Sequence, residues 1–156
     1  DDSGRILNKS ELSGISPKIL SRIKENNTDT EFVLSDDVSI YQSDIRRLQL
    51  AKSAIYTAIL TLLDITDTDT EDVDKLYITG SFGSCINKNS AYNIKLIPIS
   101  ESKTFVAENL ASVGAAMYIL NPSAAENACN IAKTAIHIEL SQNEYFNDNY
   151  IDNMSF

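Results

Sequence analysis

The feature that most constrains the fold is a helical pattern that begins at Ser43 and runs to about Leu63 or Asp64. Apolar residues recur in it every three or four positions, which places them on one side of a helix. They are Ile45, Leu48, Ala51, Ile55, Ile59 and Leu62. Ser43 is a favourable N-cap, and the carboxylate of Asp44 suits the positive end of the helix dipole. We therefore predict a long amphipathic helix whose apolar stripe is buried in the core.

A short apolar segment, residues 75–79, follows an acidic, threonine-rich loop, residues 64–72. It ends in the sequence GSFG, residues 80–83, which holds two of the five glycines of the chain. A short run that contains Tyr, Ile and Thr and stops at a glycine is typical of a buried strand entering a tight turn. A glycine there lets a ligand approach the backbone, because no Cβ stands in the way.

The remaining segments alternate between short strands and helices. Strands are predicted at residues 31–34, 38–41, 104–107 and 136–140. Helices are predicted after Ser16-Pro17, at 90–96 and 110–120, and after the capping boxes Ser123-x-x-Glu126 and Ser141-x-x-Glu144. Met154 and Phe156 are expected to anchor the terminus behind the last helix. This order predicts an α/β fold in one compact unit, with a mixed sheet packed against helices.

The charge balance excludes two classes of partner. The chain of 156 residues has 22 acidic and 13 basic residues, for a formal net charge of -9. Nucleic-acid backbones and anionic membrane surfaces both need a basic surface, so neither is an expected partner. No apolar run is expected to span a bilayer. The chain begins at Asp1 rather than at Met, and we expect it to be a piece cut from a longer protein.

Few residues are available for metal binding or nucleophilic catalysis. Cys85 and Cys129 are far apart, and His137 is the only histidine. Structural zinc and iron–sulfur clusters need four close ligands, and the loop at 64–72 lacks the Gly and Glu that an EF-hand requires. His137 lies in an alternating pattern that favours a strand surface over a catalytic base. The sequence thus predicts no metal site and no catalytic triad, and its two free cysteines favour a reducing cytoplasm.

The best candidate for a binding site is the turn formed by Gly80, Ser81, Phe82 and Gly83. Ligands of open α/β sheets collect at the carboxyl ends of strands, where this turn lies. The turn matches neither the dinucleotide fingerprint nor the P-loop. The pattern alone is therefore equally consistent with a tight turn that needs a positive φ.

Two further places carry polar groups suited to a ligand. Gln49 and Lys52 are three residues apart and share a face of the long helix. The ammonium of Lys52 suits ribose hydroxyls or phosphate, although a solvent-exposed helix surface is the simpler interpretation. Asn109 precedes a predicted helix, where capping is the alternative role.

These places coincide with the sequence pattern of a known family. The sequence DIRRLQLAKSAI, residues 44–55, resembles the long-helix signature of the reductive activators of corrinoid proteins. The likeness continues through LYITGSFG at 76–83, the region of Pro98, ENLASVGA at 108–115 and the closing residues 146–156. The opening Ser3-Gly4-Arg5 also resembles the family's entry loop. The resemblance covers nearly the whole chain.

The resemblance implies an ATP-dependent iron–sulfur protein. Its C-terminal part would be an actin-like ATPase domain of the sugar kinase, heat-shock protein and actin superfamily, with a ribonuclease H-like fold. Residues 1–156 would be the C-terminal lobe of that domain, preceded by a ferredoxin-like domain with a [2Fe–2S] cluster and by the first ATPase lobe. The whole protein would use ATP with Mg²⁺ to return the Co(II) corrinoid of a methyltransferase or corrinoid protein to Co(I).

The resemblance also implies roles for individual residues. Gly80, Ser81 and Phe82, with Gly83, would form the adenosine-side turn of a cleft between two lobes. Gln49 and Lys52 would face the nucleoside, and Asn109 would lie near the cleft floor. No catalytic residue is expected here, because phosphoryl transfer needs metal, phosphate cradle and water-positioning residue together, and this chain alone would be inactive. The implied partner is a corrinoid protein or corrinoid-dependent methyltransferase, with a homodimer as a further option.

Two departures from the family pattern support a second hypothesis. Ser81 stands where the family usually has Gly or Ala, and Glu108 stands where a Gly commonly precedes Asn109. A carboxylate close to a triphosphate repels it. Both departures favour a non-catalytic docking or dimerisation module that keeps the actin-like fold without binding nucleotide. A sugar or acetate kinase shares the superfamily fold but would need an acceptor site outside this chain.

Overall fold

The fold was obtained as a computed structural model, which describes residues 1, 3–25 and 29–156. These residues form an antiparallel sheet of β1 (Ile23–Glu25), β2 (Thr30–Ser35) and β3 (Val38–Tyr41), and a parallel pair, β4 (Leu76–Thr79) and β5 (Thr104–Ala107). The helices are α1 (Pro17–Leu20), α2 (Gln42–Ile65), α3 (Gly80–Gly83), α4 (Lys88–Asn93), α5 (Leu110–Leu120), α6 (Pro122–Thr134) and α7 (Glu144–Asp152). The predicted α/β class is confirmed, with the antiparallel and parallel strands in two sheets.

The antiparallel sheet forms where the sequence predicts two strands around a turn. Phe32 of β2 pairs with Ile40 of β3, and the register shifts between Val33 and Ser35. The third strand, β1, escaped prediction because it has only three residues. It follows the predicted helix α1, whose N-cap hydroxyl on Ser16 accepts a hydrogen bond from the Lys18 N–H. The polar sequence Asn26-Asn27-Thr28-Asp29 predicts a break between β1 and β2, and residues 26–28 of it lie outside the described residues.

Helix α2 confirms the predicted long helix but reverses its predicted burial. It begins one residue before Ser43, and the Asp44 carboxylate accepts a hydrogen bond of 3.0 Å from the Tyr41 N–H. The apolar stripe is wrong as a buried core, since Leu48 and Leu62 are exposed and Ile59 is only half-buried. The buried residues of α2 are polar instead. They are Gln49, Lys52, Ser53, Thr57 and Thr61.

This polar face is buried because the C-terminal helix and tail pack on it and supply hydrogen-bond partners. The Ser53 hydroxyl donates to the Tyr150 carbonyl. The amide of Asn153 donates to the Thr57 hydroxyl over 3.0 Å. A buried polar group that is hydrogen-bonded avoids the desolvation penalty of an unpaired one. The contact between α2 and α7 is thus specified by complementary polar groups rather than by an apolar stripe.

Replacing Thr57 by valine tests this unusual interface. Valine keeps the shape but removes the acceptor for Asn153, so we expect the free energy of unfolding to fall by about 1.5 kcal/mol. Leu62→Gln is the comparison variant on the same helix. Because Leu62 is 50% exposed, its replacement is expected to change stability by less than about 0.5 kcal/mol. Chemical denaturation measures both values. A larger loss of unfolding free energy for Leu62→Gln than for Thr57→Val would show that the apolar stripe, and not the polar face, is the buried side of α2.

The parallel pair β4–β5 brings two strand ends to one edge. Both strands match their predictions, and their register aligns Leu76 with Thr104 and Thr79 with Ala107. The GSFG sequence after β4 is one turn of helix, α3, rather than a simple tight turn. Helix α4 begins and ends before the limits predicted for it, capped by the Asn87 side chain. The buried apolar residues near this pair are Ala91, Ile97 and Ile99.

The C-terminal third differs from prediction at one strand and two caps. Residues 136–140 are not a strand, and His137 is an exposed loop residue whose imidazole lies 3.7 Å from the Glu139 carboxylate. Alternation in five residues cannot form a strand here because no neighbouring strand pairs with them in the described residues. Helix α5 matches its predicted bounds. Helices α6 and α7 form as predicted but are capped by Asn121 and Asn143, not by the serines of the capping boxes.

Helix α2 also passes a simple test for a membrane span. By length and composition, and in the part of the chain that the structure describes, it is long and apolar enough to cross a bilayer, although the sequence predicts no membrane-spanning run. The buried Gln49 and Lys52 lie on the face that contacts the C-terminal tail. These contacts are those of a helix inside a globular fold.

Candidate functional site

A polar cavity of about 390 Å³ opens at the carboxyl ends of β4 and β5. It is lined by Gly80, Ser81, Ser84, Glu108 and Asn109. The two segments meet because parallel strands in register end at the same edge, so the turn after β4 lies beside the loop after β5. This is the edge at which open α/β sheets bind ligands.

Gly80 keeps this cavity open at the backbone. Its φ of +91° belongs to the left-handed half of conformational space, which favours glycine. Apart from its chain neighbours and the backbone of its own helical turn, no atom in the described residues lies within 4 Å of the position a Cβ would take. Gly83, three residues later, has no room for a side chain. A Cβ on Gly83 would lie 2.7 Å from the Ile78 Cγ2, so this glycine allows α3 to pack against β4.

Asn109 forms the other wall and holds a strained backbone conformation. Its φ is +22°, and its side-chain oxygen accepts a hydrogen bond of 3.2 Å from the Ser112 N–H, which caps α5 as predicted. The next residue, Leu110, donates its N–H to the Thr79 hydroxyl over 3.2 Å. This bond ties the end of β4 to the start of α5, so both walls of the cavity are held in one frame.

Asn109→Ala is expected to destabilise the start of α5 by about 2 kcal/mol, because it removes the cap and places a Cβ-bearing residue without a compensating bond at positive φ. Asn109→Gly is the matched control, since it loses the cap but tolerates the backbone, and we expect a loss of a few tenths of a kcal/mol. Hydrogen exchange of the first amides of α5 distinguishes the two. Equal exchange in both variants would show that the backbone strain has no energetic effect.

The cavity has neutral hydrogen-bonding groups that suit a polar ligand, and it has one negatively charged side chain. The hydroxyls of Ser81 and Ser84 and the amide of Asn109 can donate or accept hydrogen bonds. The carboxylate of Glu108 accepts from hydroxyls and repels phosphate. The set therefore fits the nucleoside end of a nucleotide better than its phosphate end. In the described part of the chain, no group of three His, Cys, Asp or Glu residues is arranged to hold a metal ion.

Phe82 belongs to a second, apolar cavity of about 460 Å³ beside the first. Gly80 and Ser81 line both cavities, whereas Phe82 and Gly83 line only the apolar one. Phe82 is 75% exposed. The GSFG turn is thus shared by a polar cavity and an apolar one.

The structure does not bring Gln49 and Lys52 to the polar cavity. Lys52 has no solvent exposure, and its ammonium donates to the Asn153 and Ser155 carbonyls over 2.8 and 2.6 Å. The Phe156 ring lies 5.1 Å from that ammonium. Burial, and secondarily the positive charge of Lys95, lower the pKa of Lys52. Lys52 therefore holds the C-terminal tail in this conformation.

Gln49 makes the equivalent contact with the opening of the chain. Its side-chain amide donates to the Ser3 carbonyl over 2.8 Å. Gly4 has a φ of +77°, and a Cβ there would lie 2.5 Å from the Gln49 Nε2 and 2.9 Å from the Phe156 ring. The entry loop and the C-terminal tail thus meet on one face of α2.

Ser84 is the cavity residue that sequence reasoning missed. It follows Gly80 by four residues, which places both on the same side of a helical turn. The available signal was helix formation by GSFG, but the sequence favoured a tight turn there. A tight turn does not determine on which side the Ser84 side chain lies, so the sequence did not place it in the cavity.

Comparisons with known proteins identify the family to which this fold belongs. Residues 3–156 match the model of a family described as the C-terminal domain of RACo, the ASKHA domain. The corrinoid activation enzyme RamQ of Eubacterium limosum is 35% identical over 122 residues, which are 77% of this chain and 20% of that protein. A Methanosarcina barkeri reductase of the Co(II) methylated amine-specific corrinoid protein is 25% identical over 128 residues, 81% of this chain and 24% of that protein.

A solved structure extends the likeness to three dimensions. A reductive activator for corrinoid, iron–sulfur protein superposes with a TM-score of 0.77 at 29% identity, covering 99% of this chain and 25% of that one. The chain spans a quarter or less of the length of these relatives. Because the family model matches nearly every residue, the chain belongs to the family of RACo C-terminal domains, which have the actin-like ASKHA fold.

Proposed function

We propose that this chain is the nucleotide-binding C-terminal lobe of an ATP-dependent reductive activator that returns Co(II) corrinoids to Co(I). The observation that carries the proposal is the polar cavity at the carboxyl ends of β4 and β5, where Gly80, Ser81 and Asn109 come together in a chain of the RACo C-terminal family. The names of the matched relatives, a corrinoid activation enzyme, a corrinoid protein reductase and a reductive activator, support the same general role.

The cavity residues suit the nucleoside. The open backbone at Gly80 admits a flat ring, and the Ser81 and Ser84 hydroxyls can bond ribose or base. Glu108 accepts hydrogen bonds from ribose hydroxyls and directs the phosphates away from this lobe. ATP with Mg²⁺ would supply the driving force for an uphill reduction when bound. Its phosphates and metal would then be held by residues outside this chain.

Gln49 and Lys52 remain candidates for nucleoside contact only if the tail moves. Their side chains donate to the chain ends in this conformation. We assign them a supporting role, in which they fix the helix that lies behind the parallel strands. This supporting role accounts for the hydrogen bonds of Gln49 and Lys52 to the chain ends more simply than contact with a nucleoside does.

The proposal includes features of a longer protein. A ferredoxin-like domain with a [2Fe–2S] cluster and a first ATPase lobe would precede residues 1–156. The electron acceptor would be a corrinoid protein or corrinoid-dependent methyltransferase in the cytoplasm. This chain alone would carry neither the electron nor the complete ATPase site.

A redox assay tests the function. The polypeptide that carries this lobe, supplied with a low-potential reductant and a Co(II) corrinoid protein, is expected to form Co(I) only when MgATP is present. The absorbance of the corrinoid follows the reaction. Formation of Co(I) at the same rate without nucleotide, or no Co(I) at all, would contradict the proposal.

The second candidate function is a docking or dimerisation module that does not bind nucleotide. Glu108 in the cavity and the exposed apolar side chains of α5, with Ile119 79% exposed, favour it. This candidate predicts self-association or partner binding with no effect of ATP on thermal stability. The nucleotide-binding lobe predicts stabilisation by MgATP, because a ligand that binds only the folded state raises apparent stability.

A further inference from the structure

A third cavity, of about 300 Å³, lies between α2 and the end of α4 with the segment that follows it. We call it the α2–α4 cavity. Its lining residues are Tyr56, Tyr92, Asn93, Lys95, Ile97 and Pro98. It shares no lining residue with the polar cavity at the strand ends, and its volume is at the lower end of the range for small-molecule sites. The cavity is therefore a separate place with room for a small ligand.

The α2–α4 cavity is lined by a cation and by no carboxylate. This is unusual in a chain with 22 acidic and 13 basic residues. The polar cavity contains Glu108, and a cavity beside the acidic loop contains Asp64 and Asp69. Lys95 lies near enough to the buried Lys52 for its charge to lower the pKa of Lys52. In the described residues neither ammonium forms an ion pair, so the positive charge at the cavity is not balanced by a side chain.

Lys95 stands at a backbone position that favours glycine. Its φ is +53°, and its N–H donates to the Tyr92 carbonyl over 3.0 Å. The Leu96 N–H donates to the Ala91 carbonyl over 2.8 Å. These two bonds form a Schellman motif, in which this residue is usually glycine. Residues held in such conformations are common at ligand sites, and here the motif fixes the backbone from which the lysine side chain reaches the cavity.

Two phenol groups provide further hydrogen-bond donors. Burial raises the pKa of Tyr56, and the charges of Tyr92 and Tyr145 raise it further. The Tyr56 hydroxyl therefore keeps its proton at neutral pH and can donate. Whereas the hydroxyl of Tyr150 donates to the Leu50 carbonyl, those of Tyr56 and Tyr92 have no hydrogen-bond partner among the described residues.

A small carboxylate matches these groups. Its two oxygens accept hydrogen bonds from an ammonium and from hydroxyls, and its single negative charge balances the single positive charge of Lys95. Ile97, Pro98 and the tyrosine rings offer apolar surface to the rest of such a molecule. A phosphate group carries up to two negative charges at neutral pH and has no apolar part, so it fits this lining less well.

We propose that the α2–α4 cavity binds a small carboxylic acid as its anion. The Lys95 ammonium and the hydroxyls of Tyr56 and Tyr92 donate hydrogen bonds to the carboxylate, and the apolar body of the ligand lies against Ile97 and Pro98. This site goes beyond the proposed nucleotide function and is independent of it, because the two cavities have no residue in common.

Isothermal titration calorimetry with sodium benzoate tests the proposal on the polypeptide that carries this lobe, without nucleotide. Benzoate carries a carboxylate on a small apolar ring, and we expect saturable binding. Benzamide keeps the ring and the shape but has no charge, so its binding is expected to be at least about tenfold weaker. Sodium phosphate is expected to bind more weakly than benzoate.

Paired variants locate the binding. Lys95→Met removes the ammonium and keeps most of the side-chain stem, and it is expected to weaken benzoate binding at least about tenfold. Tyr56→Phe removes one hydroxyl and is expected to weaken it about threefold to tenfold. Lys133→Met is the matched control, since Lys133 is an exposed lysine of α6 outside the cavity, and it should leave the affinity unchanged. Circular dichroism confirms that the variants fold.

Four results would overturn the proposal. They are the absence of saturable benzoate binding, equal affinity for benzoate and benzamide, equal benzoate affinity in the Lys95→Met variant, and tighter binding of phosphate than of benzoate. The last result would assign the cavity to phosphate instead. None of them depends on MgATP, so failure of this site is distinguishable from failure of the proposed function.

Discussion

Replacing Lys52 by alanine is expected to lower the free energy of unfolding by about 3 kcal/mol. The ammonium donates to the Asn153 and Ser155 carbonyls and lies against the Phe156 ring, and the Lys52 side chain itself has no solvent exposure. Its removal leaves two carbonyls without their charged donor and opens a cavity under the tail. Chemical denaturation gives the loss, and hydrogen exchange is expected to show a released C-terminal tail.

Two control variants separate the causes of this loss. Lys52→Met keeps the volume of the side-chain stem and removes the charge and the hydrogen bonds, so its loss is expected to be about half as large. Lys133→Ala removes a lysine from the exposed surface of α6 and is expected to stay within about 0.5 kcal/mol of the unchanged protein. If Lys52→Ala lowers the free energy of unfolding by less than about 0.5 kcal/mol, the C-terminal tail is held by other contacts.

The difference in stability between the unchanged protein and Lys52→Met is expected to depend on pH in one direction. Burial lowers the pKa of Lys52 in the folded chain, and Lys95 lowers it further. Between that lowered value and the ordinary lysine pKa of about 10.4, the unfolded chain binds more protons than the folded one. The contribution of Lys52 to stability therefore rises with pH in this window. The stability difference between the unchanged protein and Lys52→Met should widen as pH rises through it, and a narrowing difference would contradict the burial of the ammonium.

Glu108→Gln is expected to increase the affinity for MgATP by about tenfold. Glu108 lines the polar cavity with a carboxylate, and the amide of glutamine keeps its size and one oxygen that can still accept a hydrogen bond from a ribose hydroxyl. Loss of the negative charge removes repulsion of the triphosphate. Isothermal titration calorimetry on the polypeptide that carries this lobe measures the change, which should shrink at high salt because exposed charges are screened.

Glu101→Gln is the matched control for this change. Glu101 lies before β5, at the end of the strand opposite the cavity, and its replacement removes the same charge. We expect no change in affinity. An equal gain in both variants would mean that the overall negative charge, rather than a carboxylate in the cavity, weakens binding.

Local sequence patterns predicted most elements of the fold but not what they contact. The period of apolar residues placed α2 within two residues of its observed ends, since backbone period depends on local sequence. Burial depends on the partner, and here the residues that follow α7 present the Asn153 amide and main-chain carbonyls that select Thr57 and Lys52. An apolar stripe predicts the core only where apolar residues of another element cover it, and most of the stripe of α2 is not covered in this way.

The candidate site was predictable to the extent that it depends on strand ends. Gly80 and Asn109 follow two parallel strands, and the rule for strand ends brings them together. Lys52 was misplaced because a lysine on a helix suggests a surface or a ligand, and no local signal shows that the C-terminal tail returns to α2 over a separation of about a hundred residues. The short strand predicted around His137 failed for the same reason, since pairing is a long-range property.

Binding of MgATP to the polar cavity is the most direct test of the central claim. Isothermal titration calorimetry of the polypeptide that carries this lobe is expected to show saturable binding. Ser81→Trp, which fills the cavity, should weaken it at least about tenfold, while Ser10→Trp on the exposed surface should leave it unchanged. Absence of binding in the unchanged protein, or equal affinity in the Ser81→Trp variant, would contradict the assignment of this cavity to nucleotide.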